Sequence, residues 1–144
     1  MKTPALAIFA TLFFMAVPAL ARQTKTIEIT YQSFHSYYSC SGAEDDVHEL
    51  LSKLGAEKIE TSCSGGLEMH APYVSVNATF SAADSNDADA SWQTIKINTT
   101  NGCQFDKLAL NQILPAFQTK DVQVSGTCFE DFDNGIRATL TVWK

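Results

Sequence analysis

The chain has 144 residues, of which 45% are hydrophobic and 18% are charged, a composition typical of a globular protein and unlike that of a disordered one. Its 10 basic and 16 acidic residues give a formal net charge of −6, which disfavours nucleic acid and anionic lipid as partners because both are themselves negatively charged. A basic protein or a cation would suit this charge, although acidic surfaces are also common for solubility alone.

The first 21 residues have the three parts of a secretory signal peptide. Lys2 supplies a short basic region, residues 5–17 are almost wholly apolar, and residues 19–21 (Ala-Leu-Ala) form a cleavage site of the A-x-A type. The apolar run is too short to span a bilayer comfortably, and no later segment is apolar enough to do so. We therefore expect an exported mature chain, 22–144, that is periplasmic or secreted and carries a net charge of −7 after loss of Lys2.

The expected mature chain divides into two similar halves, about 24–80 and 92–144. Thr-Ile-Glu-Ile (26–29) resembles Thr-Ile-Lys-Ile (94–97), and each is followed by a cysteine, an amphipathic helix, a strand, a second cysteine and another strand. In both halves, apolar residues lie 7, 10, 11 and 14 positions after the first cysteine, which is the spacing of one helical face. These residues are Val47, Leu50, Leu51 and Leu54 in the first half and Leu110, Ile113, Leu114 and Phe117 in the second.

This repeat predicts duplicated β-α-β-β units within one α+β domain. We expect a six-stranded, largely antiparallel sheet with two helices on one face, ferredoxin-like in character, and two disulfides. A further match four residues before each second cysteine, at Ile59 and Val124, supports the alignment of the halves. Residues 81–91 are small, polar and acidic and are predicted to form the connecting loop, and Asp133-Asn134-Gly135 is predicted to form a hairpin turn.

The helix ends have recognisable signals. Ser41 and Glu44 are expected to form a capping box at the start of the first helix, and Gly55 suits the position just after its end. Pro115 must end or kink the second helix, because proline lacks the amide hydrogen that the helix interior requires.

The four cysteines of an exported chain are expected to form disulfides, because exported compartments are oxidising. Three pairings are possible, and all three are compatible with a twofold repeat. In a right-handed β-α-β crossover the start of the helix lies near the C-terminal ends of the strands, so the two cysteines of each half should lie at the same end of their unit. Local closure therefore favours Cys40–Cys63 and Cys103–Cys128, with no free thiol.

A metal site is the alternative interpretation of the cysteines. Residues 26–63 resemble the heavy-metal-associated domains of metal chaperones, in which a C-x-x-C motif precedes a helix with apolar residues at similar offsets. Cys40 occupies the first position of that motif, but Ala43 stands at the second, so the pair of soft ligands is incomplete. We interpret the resemblance as shared helix-on-sheet patterning and predict neither a metal nor another cofactor.

Other candidates for chemistry are sparse. Met69 and His70 are adjacent and suit copper, but two ligands without a third are weak evidence for a site. Asp84, Asp87 and Asp89 lack the glycine-punctuated spacing of a calcium loop. No nucleophile elbow, zinc-protease motif or phosphate loop is present in the sequence, so we expect no enzymatic activity.

The first half carries an insertion of five residues. Thirteen positions separate Ile27 from Cys40, but only eight separate Ile95 from Cys103. The inserted stretch, 31–39, is rich in aromatic residues with polar tips, which are preferred anchors of protein interfaces. The candidate partner-binding residues are Tyr31, Phe34, His35, Tyr37 and Tyr38. The alternative is that Tyr31 and Phe34 simply cover the open end of the core.

These features predict an exported, disulfide-linked binding or interaction domain. It would be a component of an envelope complex, or an inhibitor or immunity protein whose acidic surface blocks a basic partner. The expected partner is another envelope or secreted protein. The alternative function is a periplasmic metal-binding protein.

Overall fold

The computed structural model describes residues 22–32, 38–100, 102–128 and 135–144. Outside these ranges lie the predicted signal peptide, two residues of the predicted hairpin turn (Asp133 and Asn134) and three candidate binding residues, Phe34, His35 and Tyr37.

Within the described ranges, each half contributes a strand, a helix and two further strands, as predicted. The elements of the first half are β1 (Arg22–Gln32), α1 (Cys40–Lys53), β2 (Glu57–Gly65) and β3 (Tyr73–Ala83). Those of the second half are β4 (Trp92–Asn98), α2 (Cys103–Ile113), β5 (Thr119–Ser125) and β6 (Arg137–Trp143). Short 3-10 helices follow β2 (Leu67–Met69) and α2 (Leu114–Ala116).

The strands form two three-stranded antiparallel sheets, with the orders β1-β3-β2 and β4-β6-β5. In each sheet the last strand of the half lies in the middle, so the two strands that flank the helix in sequence are parallel to each other. No ladder joins the sheets within the described ranges, so the expected six-stranded sheet and its ferredoxin-like character are not confirmed. The alternation of apolar and polar residues predicted the individual strands, but it does not show whether the edge strands of the two halves pair with each other.

One hydrophobic core is shared by both halves. The predicted face of α1 is buried throughout, and in the second half Leu110 and Ile113 are fully buried. Leu114 is only partly buried, because α2 ends at Ile113 and the 3-10 helix that contains Pro115 replaces it, as the proline predicted. The central strands add alternate core residues, which are Val76, Ala78, Phe80, Ala138, Leu140 and Val142.

Helix α2 packs against the first half of the chain. It contacts β1 and α1, and its Phe105 ring lies 6.1 Å from the ring of Tyr31 in β1, centroid to centroid. Just after α2, Phe117 stacks on Phe80 of β3 at 5.5 Å. The two halves therefore bury a common apolar surface and do not form independent cores.

The start of α1 differs from the sequence expectation. The N-cap is Ser39, whose hydroxyl accepts a hydrogen bond from the amide of Gly42 at 3.1 Å, and Ser41 lies inside the first turn. The helix starts at Cys40, whose amide donates to the Glu68 carboxylate at 2.9 Å. The end of the helix is as predicted, with Gly55 in the left-handed region at φ 87°.

The loop between the halves is shorter than predicted and is attached to the rest of the molecule. β3 continues to Ala83, because the small side chains of Ala82 and Ala83 are buried. In the remaining loop, Asp87 is buried and lies 3.6 Å from the guanidinium of Arg22. Ser91 exchanges two backbone hydrogen bonds with Lys144.

Both predicted disulfides are present, and they account for all four cysteines. Cys40–Cys63 and Cys103–Cys128 each have a Cα–Cα distance of 5.5 Å. The two bonds differ in position, because Cys63 lies within β2 opposite Val76, whereas Cys128 lies beyond the end of β5.

Candidate interaction surfaces

The two described members of the aromatic insertion pack against α2. Tyr31 and Tyr38 meet edge to face at 5.2 Å, and the Tyr38 ring lies 5.5 Å from the ring of Phe105. The Tyr31 hydroxyl donates to Gln104 at 2.5 Å. Both tyrosines are partly buried against the core, so they act at least as a cover for the junction between the halves.

The β2–β3 loop lies directly beside the end of this insertion. The amide of Leu67 donates to the carbonyl of Tyr38 at 3.0 Å. Within the loop, Gly66 is the centre of three backbone hydrogen bonds. Its carbonyl accepts from the amides of Met69 and Ala71, and its amide donates to the carbonyl of Tyr73 at 2.7 Å. These bonds give the loop a defined shape and join it to the base of the insertion.

The loop and the first residue of β3 expose three large hydrophobic side chains. Leu67 is 50% exposed, Met69 64% and Tyr73 43%. Met69 and Tyr73 both lie against Gly65: its amide donates to the Met69 sulfur at 3.2 Å, and a Cβ at this position would lie 2.9 Å from the Tyr73 ring. We call Leu67, Met69 and Tyr73 the apolar loop patch.

Glu68 holds this loop to the start of α1. Hydrogen bonds to its carboxylate from backbone amides, first of all that of Cys40, lower the pKa of Glu68 below its ordinary value. Its negative charge also lies at the N-terminus of α1, where the helix dipole favours an anion. The Cys40–Cys63 disulfide connects the same helix start to β2. The loop that carries the patch is therefore fixed both to the start of α1, by the Glu68 hydrogen bond, and to β2, which the disulfide links to the same helix start.

The sequence pattern does not predict this patch. It marks Met69 only as a weak candidate ligand for copper, whereas the Met69 sulfur accepts a hydrogen bond from the Gly65 amide. The signal for exposure is the position of Leu67 and Met69 between a Gly-Gly pair and Pro72, because a loop exposes apolar side chains that a strand or helix would bury.

A second group of exposed hydrophobic residues lies on the second sheet. Trp92 is packed edge to face against Trp143 at 5.5 Å, and the Lys120 ammonium lies 4.2 Å from the centre of a Trp92 ring. Val122 and Val124 of β5 are also exposed. A shallow groove of about 630 Å³, lined by Trp92, Val122 and the segment that follows α2, lies beside them. These side chains are exposed because α2 packs against β1 and leaves β5 uncovered.

A small polar cavity of about 120 Å³ lies beside the two helices. It is lined by the acidic residues Asp46, Glu49 and Asp106, of which Asp106 is buried. Glu49 forms an ion pair with Lys53, which also lines the cavity. Among the described residues, no group of three or more histidine, cysteine or acidic side chains is arranged to hold a metal ion.

Over the part of the chain that the structure describes, neither helix is long and apolar enough to cross a bilayer. The two disulfides are compatible with an exported protein. No protein-family model, curated protein or solved structure significantly matches the chain.

Proposed function

We propose that this protein is an exported binding module, without catalytic activity, that recognises another envelope or secreted protein through the apolar loop patch. The observation that carries the proposal is the exposure of Leu67 and Met69 on one hydrogen-bonded loop and of Tyr73 where that loop joins β3. Met and aromatic residues are enriched at protein interfaces, and contiguous exposed apolar groups mark interaction sites.

The support beneath the patch favours binding. A loop that is already held by a disulfide and by the Glu68 hydrogen bond loses little conformational entropy when a partner docks. The end of the aromatic insertion adjoins the same surface, because the carbonyl of Tyr38 accepts a hydrogen bond from the amide of Leu67. In this proposal Phe34, His35 and Tyr37 contact the partner, while Tyr31 and Tyr38 fix the ends of their segment on Phe105.

The charge of the chain suggests the chemistry of the partner. With a net charge of −7 after the expected removal of Lys2, the module would attract a basic protein and associate faster at low salt. An inhibitor or immunity protein would use this attraction against a basic target, and a component of an envelope complex would use it for assembly.

The test uses the oxidised chain 22–144 as bait against envelope and secreted fractions of the source organism. Wild type should retain a protein in stoichiometric amount, identified by mass spectrometry and then measured with the purified partner. Leu67→Asp with Met69→Ala should weaken that binding at least tenfold, which corresponds to about 1.4 kcal/mol.

Val122→Asp is the matched control, because it places the same charge on an equally accessible hydrophobic position of the second sheet. It should leave partner binding unchanged. Binding that survives the loop substitutions would contradict the proposed surface. Stoichiometric copper or zinc on the purified oxidised protein would instead support the alternative metal-binding function.

A further inference from the structure

Each sheet keeps one face in the core and presents the other to solvent. In the first sheet the outward positions alternate with core residues such as Ile29, Val76 and Phe80, and in the second with Ile97, Leu140 and Val142. We call these outward positions the first outer face and the second outer face. A cross-strand threonine pair lies on each: Thr26–Thr79 on the first, with 3.1 Å between hydroxyls, and Thr94–Thr141 on the second, with 3.2 Å.

The two outer faces carry opposite charge. By the strand register, the first outer face presents Glu28, Glu57 and Glu60, and the second presents Lys96, Lys120 and Arg137. All six residues are exposed. Arg22 lies at one end of the first outer face and pairs with Glu57 at 3.3 Å. Glu28 accepts a hydrogen bond from the Ser75 hydroxyl at 3.1 Å, so among the described residues Glu28 and Glu60 are the carboxylates of this face whose charge is not matched by a cation.

We propose that the first outer face of one copy binds the second outer face of another copy. Outside the tryptophan pair and Tyr73, the outward side chains are mostly threonine, serine, asparagine and glutamine, which allow two sheets to approach closely and exchange hydrogen bonds. Contact between two first faces or two second faces would place like charges together, which disfavours it. The complementary contact is therefore heterologous, first face to second face.

Face contact is favoured over contact through the β2 or β5 edge. Both strands contain a register shift, and each shift holds a charged residue in the left-handed region, Lys58 at φ 50° and Asp121 at φ 55°. Bulges and charges of this kind hinder the addition of a further strand to an edge. The open faces have no comparable obstruction, apart from the aromatic side chains at their ends.

The size of the faces predicts a weak contact. Three strands of seven residues, as in the second sheet, cover roughly 340 Å² at about 3.4 Å per residue and about 4.8 Å per strand. This is well below the roughly 800 Å² per partner of a stable complex. The association should therefore be concentration-dependent and strongly weakened by salt.

Sedimentation velocity of the oxidised chain 22–144 tests the proposal. Wild type should form dimers or larger species as concentration rises at about 0.1 M salt, where a Debye length of about 10 Å screens the overall repulsion between two chains of net charge −7 but leaves the closer contact between the faces. Association should be at least tenfold weaker at about 1 M salt, where the Debye length is about 3 Å. A monomer at every concentration at about 0.1 M salt, or no weakening of association between about 0.1 M and 1 M, would overturn the proposal.

A charge exchange makes the test specific. Lys96→Glu with Lys120→Glu, and separately Glu28→Lys with Glu60→Lys, should each abolish self-association, while a mixture of the two variants should associate again. Both variants remain net negative, so general attraction between them does not explain restored binding. Lys96→Glu alone should already weaken association, and Lys107→Glu, an exposed change on α2, is its matched control, because it makes the same single charge reversal away from both faces and should leave association intact.

Melting curves establish that each variant is folded, and the salt series on wild type stands even where a variant is not. Failure of the mixture to associate, or equal loss of association in the Lys107→Glu control, would contradict the proposal. The result is distinguishable from the proposed partner binding, because self-association is measured on the purified chain alone and no residue of the apolar loop patch is substituted.

Discussion

At the scale of single residues, the shape of the apolar loop patch depends on Gly65 and Gly66. Both have positive φ, at 88° and 75°, which residues with a Cβ rarely adopt. A Cβ at Gly65 would lie 2.3 Å from the carbonyl oxygen of Tyr73, and one at Gly66 would lie 2.8 Å from that of Tyr38. The two glycines therefore let the loop approach both β3 and the base of the insertion.

Gly65→Ala should lower the free energy of unfolding by about 1–3 kcal/mol, because the strained backbone and the clash add to each other. Urea denaturation measures the change. Ser64→Ala, at the exposed neighbouring position, should stay within about 0.5 kcal/mol of wild type. A Gly65→Ala protein as stable as wild type would show that the loop relaxes without loss.

Glu68 should make the stability of the loop dependent on pH. Its pKa in the folded protein is lowered by the backbone hydrogen bonds, first that of Cys40, so its contribution is present above the ordinary value of 4.5 and is lost as pH falls through the folded pKa. The stability difference between wild type and Glu68→Gln should therefore shrink in acid. Urea denaturation at neutral pH and at successively lower pH tests this, and a difference that is constant over the whole range would contradict it.

At the scale of elements, the main departure from the internal repeat is the position of α2. Helix α1 contacts β2 and β3 of its own sheet, so Ile59 packs on the core. Helix α2 contacts β1 of the other half, and Val124, the sequence counterpart of Ile59, is 37% exposed. The sequence alignment paired two residues whose environments differ.

Ile59→Ala should therefore lower the free energy of unfolding by about 1–3 kcal/mol through lost apolar contact. Val124→Ala should change it by about 0.5 kcal/mol or less, because its side chain is already in contact with water. Denaturation of the two variants side by side gives the comparison. Equal losses would mean that β5 is covered in solution.

The disulfides link equivalent elements in both halves. They close segments of similar length, with separations of 23 and 25 residues, so removal of either by paired alanine substitution should cost about 3–4 kcal/mol in the chain-entropy model. Denaturation of the two double variants measures both values. A difference between them of more than about 1 kcal/mol would show that strain or local packing outweighs loop closure.

At the scale of the whole molecule, the shared core makes the two halves one folding unit. Phe105 belongs to the second half but is fully buried beside Tyr31 and Tyr38 of the first. The stacked pair Phe80 and Phe117 connects the halves at a second place. Neither half should keep its structure after these contacts are lost.

Phe105→Ala should lower the free energy of unfolding by about 3–5 kcal/mol and should destabilise both halves together. Trp92 and Trp143 are the only tryptophans in the sequence, so fluorescence reports on the second half, while amide exchange of β3 reports on the first. Both probes should shift equally. A shift confined to one probe would contradict a single cooperative unit.

The sequence by itself determined the local features of this protein. The helix faces, the strand segments, the end of α1 at Gly55, the end of α2 before Pro115 and the two disulfide pairings follow from periodicity, backbone preferences and short loop closure. The helices and strands depend on residues that are close in sequence, and the disulfides join cysteines only 23 and 25 positions apart. Residues such as Val47 and Leu110 therefore have their predicted burial.

The tertiary structure alone decided how the halves combine and what they expose. The separation into two sheets, the packing of α2 on β1 and the capping of α1 by Ser39 depend on contacts between distant segments, which a hydrophobic pattern does not distinguish. The same holds for the candidate surfaces. Leu67 and Met69 are exposed because hydrogen bonds hold their loop to Tyr38 and Cys40. The charges of the outer faces come together only through strand register, because register places residues that are far apart in sequence side by side.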